Sequence, residues 1–305
     1  MNTAAKLGGF AVAVILAFGG AYSIGQATGP VGAAADLAHG GQHGPATTPT
    51  SGGLPAGGLM VAQDGYRFDL MSDHAAAGAP EDFAFRILGP DGAPVTAFTP
   101  THDKPLHLIV VRRDLTGFQH LHPELGANGI WRIQLTFPTA GDYRAFADFS
   151  PDGRSEAITL GADVAVAGAY TPAALPAPTR TATVDGYTVH LDGDLVPGRT
   201  NELTLTVSKA GLPVTDLQPY LAAYGHLVAL RDGDLAYLHV HPDGMPGDGR
   251  TAAGPEIEFM AEVPSPGSYR LFLDFQHGGA VRTAEFTVPT GPAAESGTHH
   301  EGGHS

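Results

Sequence analysis

The chain has 305 residues, a hydrophobic fraction of 43% and a formal net charge of −15, from 31 Asp and Glu against 16 Lys and Arg. That acidity repels nucleic-acid backbones and anionic lipid headgroups and makes cations the natural partners. With no cysteine, disulfides and thiolate sites are excluded, and with only 5 methionines a thioether-rich Cu(I) site is disfavoured, so any bound metal must use nitrogen and oxygen ligands.

The first element is an apolar segment. Residues 7–35 carry no charged side chain, and one lysine, Lys6, precedes the run from Phe10 to Phe18. This is the design of an export signal, and Leu7 to Ile24 is close to the length of a single span. Residues 1–28 are therefore expected to be a signal anchor or signal peptide that places the remainder outside the cytoplasm, membrane-anchored or secreted. Residues 29–59, rich in Gly, Ala, Pro and Thr, read as a flexible tether containing His39 and His43.

Two bodies follow, residues 60–167 and 182–289, and they are copies of one unit. Asp64-Gly65-Tyr66 matches Asp185-Gly186-Tyr187, and Gly92, Pro94, Val95, Thr96, Pro100 and His107 match residues 119 positions later, ending at His226. His120-Leu121-His122-Pro123 keeps the offset to His239-Val240-His241-Pro242. A longer loop in the second copy then moves the offset to 126, pairing Tyr143-Arg144 with Tyr269-Arg270 and Asp148-Phe149 with Asp274-Phe275. Each copy holds short apolar segments bounded by Gly, Pro and Asp: FAFRIL, LHLIVV, IWRIQLTF and YRAFADF, then LTLTV, HLVALR, IEFMAEV and YRLFLDF. Such segments are strands, and no amphipathic helix competes with them. The expected fold is all-β, two tandem immunoglobulin-like β-sandwich domains. Residues 168–181, with AYTPAALPAPTRT, are expected to be an extended Pro/Ala linker, and residues 290–305 a histidine-bearing tail with His299, His300 and His304.

The histidines carry the functional signal. Alternate residues of a strand share a face with Cα atoms about 6.6 Å apart, so His120 and His122 can converge on one ion, and Pro123 ends the strand at a rim. If LHLIVVRR and FQHLHP form a hairpin around Asp114 to Gly117, His107 comes level with that pair. His226, His239 and His241 repeat the arrangement. The expectation is one site per sandwich, three imidazoles each, suited to Cu(II) or Zn(II). Asp148 and Asp274 occupy matching positions and are candidates to ligate or to orient an imidazole; His277, where the first copy has Pro151, is a further candidate. Tyr143 and Tyr269 fit the tyrosine corner of Greek-key sandwiches. Trp131 fits the core, and His74, His102 and His190, which lack counterparts, read as surface residues.

HLIVVRRDLTGFQHLHPE followed by FPTAGDYRAFADFSPDG resembles secreted bacterial sandwich domains of the YtkA-like and copper-resistance-associated kind. The resemblance spans both units. It implies a β-sandwich concerned with copper or another heavy metal outside the cytoplasm, with His107, His120, His122, His226, His239 and His241 as ligands and a metal transporter or other extracytoplasmic protein as partner. No G-x-S-x-G, phosphate loop or H-E-x-x-H is present, so no enzymatic activity is expected; the alternative to a metal-binding protein is an adhesion-like interaction domain pair with structural histidines, and after it a copper or zinc metalloenzyme using the same imidazoles.

Overall fold

The computed structural model describes residues 56–238 and 240–291; the expected anchor, most of the tether, His239 and most of the tail lie outside them. The first repeat contains β1 (Ala62–Gln63), β2 (Tyr66–Leu70), β3 (His74–Ala76), β4 (Pro80–Leu88), β5 (Leu106–Arg112), β6 (Gln119–Leu121), β7 (Glu124–Leu125), β8 (Trp131–Thr136), β9 (Gly141–Phe149) and β10 (Ile158–Ala167). The second contains β11 (Thr181–Val184), β12 (Tyr187–Asp192), β13 (Thr200–Lys209), β14 (Leu212–Pro213), β15 (Gly225–Arg231), β16 (Tyr237–Leu238), β17 (Val240–Pro242), β18 (Glu256–Glu262), β19 (Ser268–His277) and β20 (Ala280–Pro289). Each repeat is a two-sheet sandwich, so the fold is all-β with two tandem immunoglobulin-like domains. In the first, sheet β1-β2-β4-β8-β7 faces β3-β10-β9-β5-β6; in the second, β11-β12-β13-β18-β17 faces β16-β15-β19-β20. No helix of the described residues is long and apolar enough to cross a membrane.

The two sheets of each sandwich differ in a way their sequences explain. Outer strands alternate: β12 (YTVHLD) and β18 (EIEFMAE) bury every second residue and expose the rest. Inner strands are buried on both faces, β5 (LHLIVVR) along its whole length and β15 (GHLVALR) nearly so. One face of β5, with Leu108 and Val110, joins its own core together with Trp131, Phe85 and Phe149. The other face, with Ile109 and Val111, joins Phe146 and meets Val228, Leu230 and Phe272 of the second repeat in a separate buried cluster. The sandwiches thus pack inner sheet to inner sheet.

Ring contacts show that this seam has pseudo-two-fold symmetry. Phe118 stacks on Phe272 with centroids 4.0 Å apart, and Phe146 meets Tyr237 at 5.8 Å. By the sequence offsets Phe118 corresponds to Tyr237 and Phe146 to Phe272, so the second contact is the first with the repeats exchanged. Duplication has preserved a self-complementary surface.

Two connecting segments reinforce the seam. Gly57 bridges to Tyr237, Gly58 N–H donates to Thr159 O at 2.8 Å, and the Arg144 guanidinium donates to Gly58 O and Leu59 O. A Cβ at residue 161 would lie 2.1 Å from Gly58 O, so Gly161 is what lets the strand and this segment approach. The linker is bound as well: Tyr170 lies on Arg112, Ala173 N–H donates to Asp114 Oδ2 at 2.8 Å, and Leu175 packs against the seam cluster. Its apolar and amide groups find partners on the protein, so the segment is docked. Tyr143 Oη donates to Thr139 O at 3.0 Å and Tyr269 Oη to Ser265 O at 2.8 Å, the corner bonds expected from their positions.

Phe272 has no exposed surface and contributes to the seam alone. Phe272→Ala is expected to lower unfolding stability by about 3–5 kcal/mol, the usual cost of emptying a buried phenylalanine site. Urea denaturation followed by intrinsic fluorescence measures it, and a loss under about 1 kcal/mol would mean that the seam can collapse around the gap.

Candidate metal centre

The apolar seam turns polar at one end, where the same faces of the inner strands carry histidine and aspartate. On β5 the residues facing the seam run Val111, Ile109, His107. Asp148 on β9 sits opposite His107, as Asp274 on β19 sits opposite His226 on β15. The hairpin register is the expected one, with Leu108 opposite Leu121 and Ile109 opposite His120, which brings His107 level with His122.

His107, His120 and His122 form a group whose ligand atoms lie within 4.8 Å of one another. His107 Nδ1 is 3.0 Å from His120 Nε2 and 3.2 Å from His122 Nε2. The remaining nitrogens decide the tautomers. His107 Nε2 contacts the Thr101 carbonyl at 2.9 Å, and a carbonyl only accepts, so Nε2 carries the proton and Nδ1 presents a lone pair. His120 Nδ1 contacts Asp274 Oδ2 at 2.9 Å, so Nδ1 donates there, and a neutral ring would present a lone pair at Nε2. Two lone pairs 3.0 Å apart repel unless a proton or a cation lies between them. Nitrogens bound tetrahedrally at 2.0–2.1 Å would be about 3.3 Å apart, close to what is seen.

Asp274 belongs to the second repeat and His120 to the first, so the carboxylate crosses the seam instead of serving its own copy. Both side chains are 6% exposed, and Thr283 Oγ1 donates to the other carboxylate oxygen at 2.6 Å. An imidazole held between an ion and a buried carboxylate is the usual outer arrangement of histidine metal sites. Asp148 accepts from Thr159 Oγ1 at 3.2 Å and lines a cavity of about 110 Å³ shared by the two repeats.

His226 repeats the geometry of His107: its Nε2 donates to Tyr220 O at 2.8 Å, as His107 does to Thr101 O. It does not stand at a separate rim. Its ring centroid is 6.0 Å from that of His120 and 6.5 Å from that of His107. The picture of two separate rim sites is thereby corrected for His226: the inner sheets face each other, so it meets the histidines of the first repeat at one cavity, while His239 lies outside the described residues. His241 is exposed on β17, which pairs with β18 of the outer sheet, and it reaches the wall of that cavity. His277 is elsewhere, its Nδ1 2.7 Å from Tyr187 Oη and its Nε2 3.1 Å from Asp216 Oδ1. Both its nitrogens are engaged by Tyr187 and Asp216 at the C-terminal end of β19, and it does not line the cavity.

His102, which the sequence places at the surface, is a second correction. It is half-buried, lines the cavity and has its ring centroid 5.1 Å from His226 and 6.2 Å from His107. The repeat comparison missed it because its counterpart is Leu221; its five-residue separation from His107 was the available signal.

The sequence profile of a domain of unknown function, DUF8832, matches residues 61–166 and again residues 182–291, together more than half of the chain. The chain belongs to this family. No curated protein matches it. Among solved structures, the FdeC adhesin of Escherichia coli is similar at 15% identity over 75% of this chain and 65% of that one, with a TM-score of 0.24. An α2-macroglobulin mutant of Salmonella is similar at 15% identity over 78% of this chain and 16% of that one, with a TM-score of 0.27. The chain thus covers less than two thirds of either.

Burial sets the charge state of the cluster. It lowers the His107 and His122 imidazoles to about 3 and His226 to about 4, with neighbouring histidines adding to the effect. The unfolded chain takes up these protons near pH 6.5 and the folded chain does not, so the contribution to stability is complete above pH 6.5 and is lost as pH falls towards about 3. The chelator-treated protein is expected to show a denaturation midpoint that falls steadily from pH 6.5 to pH 4, whereas a midpoint flat over that range would contradict the buried neutral state.

Proposed function

We propose that this protein is an extracytoplasmic metal-binding protein that sequesters or passes on Cu(II), with Zn(II) as the other candidate, at a site formed by His107, His120 and His122 between its two sandwiches. The observation that carries the reading is the 3.0 Å approach of His107 Nδ1 to His120 Nε2, with each ring's other nitrogen held by Thr101 O or Asp274, which leaves opposed lone pairs when both rings are neutral. A cation accepts both lone pairs, and His122 Nε2 supplies a third. The ordering of nitrogen-ligand affinities along the divalent series favours Cu(II). The export-type segment at residues 7–35, the acidic charge and the resemblance to YtkA-like and copper-resistance-associated domains agree with handling of cationic cargo outside the cytoplasm, with a metal transporter as the natural partner.

The competing reading takes the same geometry with a proton in place of the ion. His120, doubly protonated, would then pin the sandwiches together through Asp274, and the chain would be an interaction module with structural histidines. Metal retention separates the two. The full chain, loaded with Cu(II) or Zn(II) and dialysed against a mild competing chelator, is expected to keep metal that His120→Ala/His122→Ala does not. Asp274→Asn leaves all three ligands and removes the charge that orients His120, so it is expected to weaken affinity by about 10–100-fold. Wild-type protein stripped completely by the chelator would discard the metal reading in favour of the proton-pinned one.

A further inference from the structure

The cavity beside the triad contains more ligand chemistry than one ion uses. Imidazoles that share an ion at 2.0–2.1 Å have ring centroids about 5 Å apart in tetrahedral geometry. The triad shows this spacing, with centroids 5.3, 5.0 and 4.9 Å apart. His226 lies too far from His120 and His107, at 6.0 and 6.5 Å, to join that shell as it stands. It is at the sharing distance from a different ring, His102, at 5.1 Å.

We infer that His102 and His226 form a second cation position, adjacent to the triad and contributed by both repeats, so that the seam cavity holds two divalent transition-metal ions rather than one. The inference rests on the metal reading of the triad. His226 is prepared for the role as His107 is: its Nε2 proton is committed to the Tyr220 carbonyl, which leaves Nδ1 as the lone pair. The same cavity of about 110 Å³ has Asp148 and His241 in its wall, giving a second ion a carboxylate neighbour and room for water ligands. His102 occupies a left-handed turn at φ 50, and its counterpart Leu221 has φ 53. The backbone strain therefore belongs to the turn in both repeats, and the imidazole is the difference between them.

That correspondence supplies a variant compatible with the fold. His102→Leu places at this turn the residue that the second repeat already holds in the same backbone conformation. The full chain is loaded with Zn(II) or Cu(II), equilibrated with a mild chelator, and its retained metal is counted by elemental analysis, with circular dichroism confirming the folded state. Wild type is expected to retain two ions per chain, and His102→Leu and His226→Ala one each, the ion lost in His120→Ala/His122→Ala remaining in place. A wild type that retains one ion, unchanged in affinity by His102→Leu and His226→Ala, overturns the second position and leaves the triad reading standing. Retention of two ions by His102→Leu, or loss of both by either variant, also overturns it. Retention of none by the wild type is the distinct failure of the triad reading itself.

Discussion

The contact on which the remaining structure depends is the burial of one inner sheet against the other. Ile109, Val111 and Phe146 meet Val228, Leu230 and Phe272, and the aromatic pairs Phe118–Phe272 and Phe146–Tyr237 repeat across the pseudo-axis. Apolar burial of this kind is non-directional, yet the reciprocal rings fix one orientation. Everything polar at the end of the seam takes its position from that orientation. Asp274 reaches His120 only because β19 of one sandwich lies over β6 of the other.

Burial at the seam also gives the cluster its chemistry. Imidazoles in water would be solvated and would titrate near neutrality; enclosed here, His107 and His226 are kept neutral, each with one ring nitrogen bonded to a backbone carbonyl. The Thr101 carbonyl and the Asp274 carboxylate each hold one nitrogen of His107 and His120, whose other nitrogens lie 3.0 Å apart. Two lone pairs this close repel, and a proton or a cation between them removes the repulsion.

Much of this was legible in the sequence, and the parts that were not share a cause. Strands, repeat boundaries, the corner tyrosines and the register that sets Leu108 against Leu121 follow from local pattern and from spacing. What covers the second face of an inner strand is information that no single strand contains. The histidines were therefore expected at two rims, although His226 meets His107 and His120 at one cavity. His102 escaped notice because the internal comparison recognises only what both copies share, and Leu221 stands opposite it in the alignment of repeats. Tyr170 and Leu175 lie in a stretch whose prolines suggested a spacer, and their docking is again a matter of tertiary partners.

The pseudo-axis has a consequence of its own. Two separate chains meeting through such a surface would form a symmetric dimer, and every side chain near the axis would enter the cavity twice. Joining the halves in one chain removes that obligation. The residue at a given turn can be histidine in one half and leucine in the other, as His102 and Leu221 are, and the longer loop after Pro242 needs no twin after Pro123. Covalent fusion thus turns a symmetric interface into one whose two sides can be specialised separately, with one half supplying rings that the other half orients.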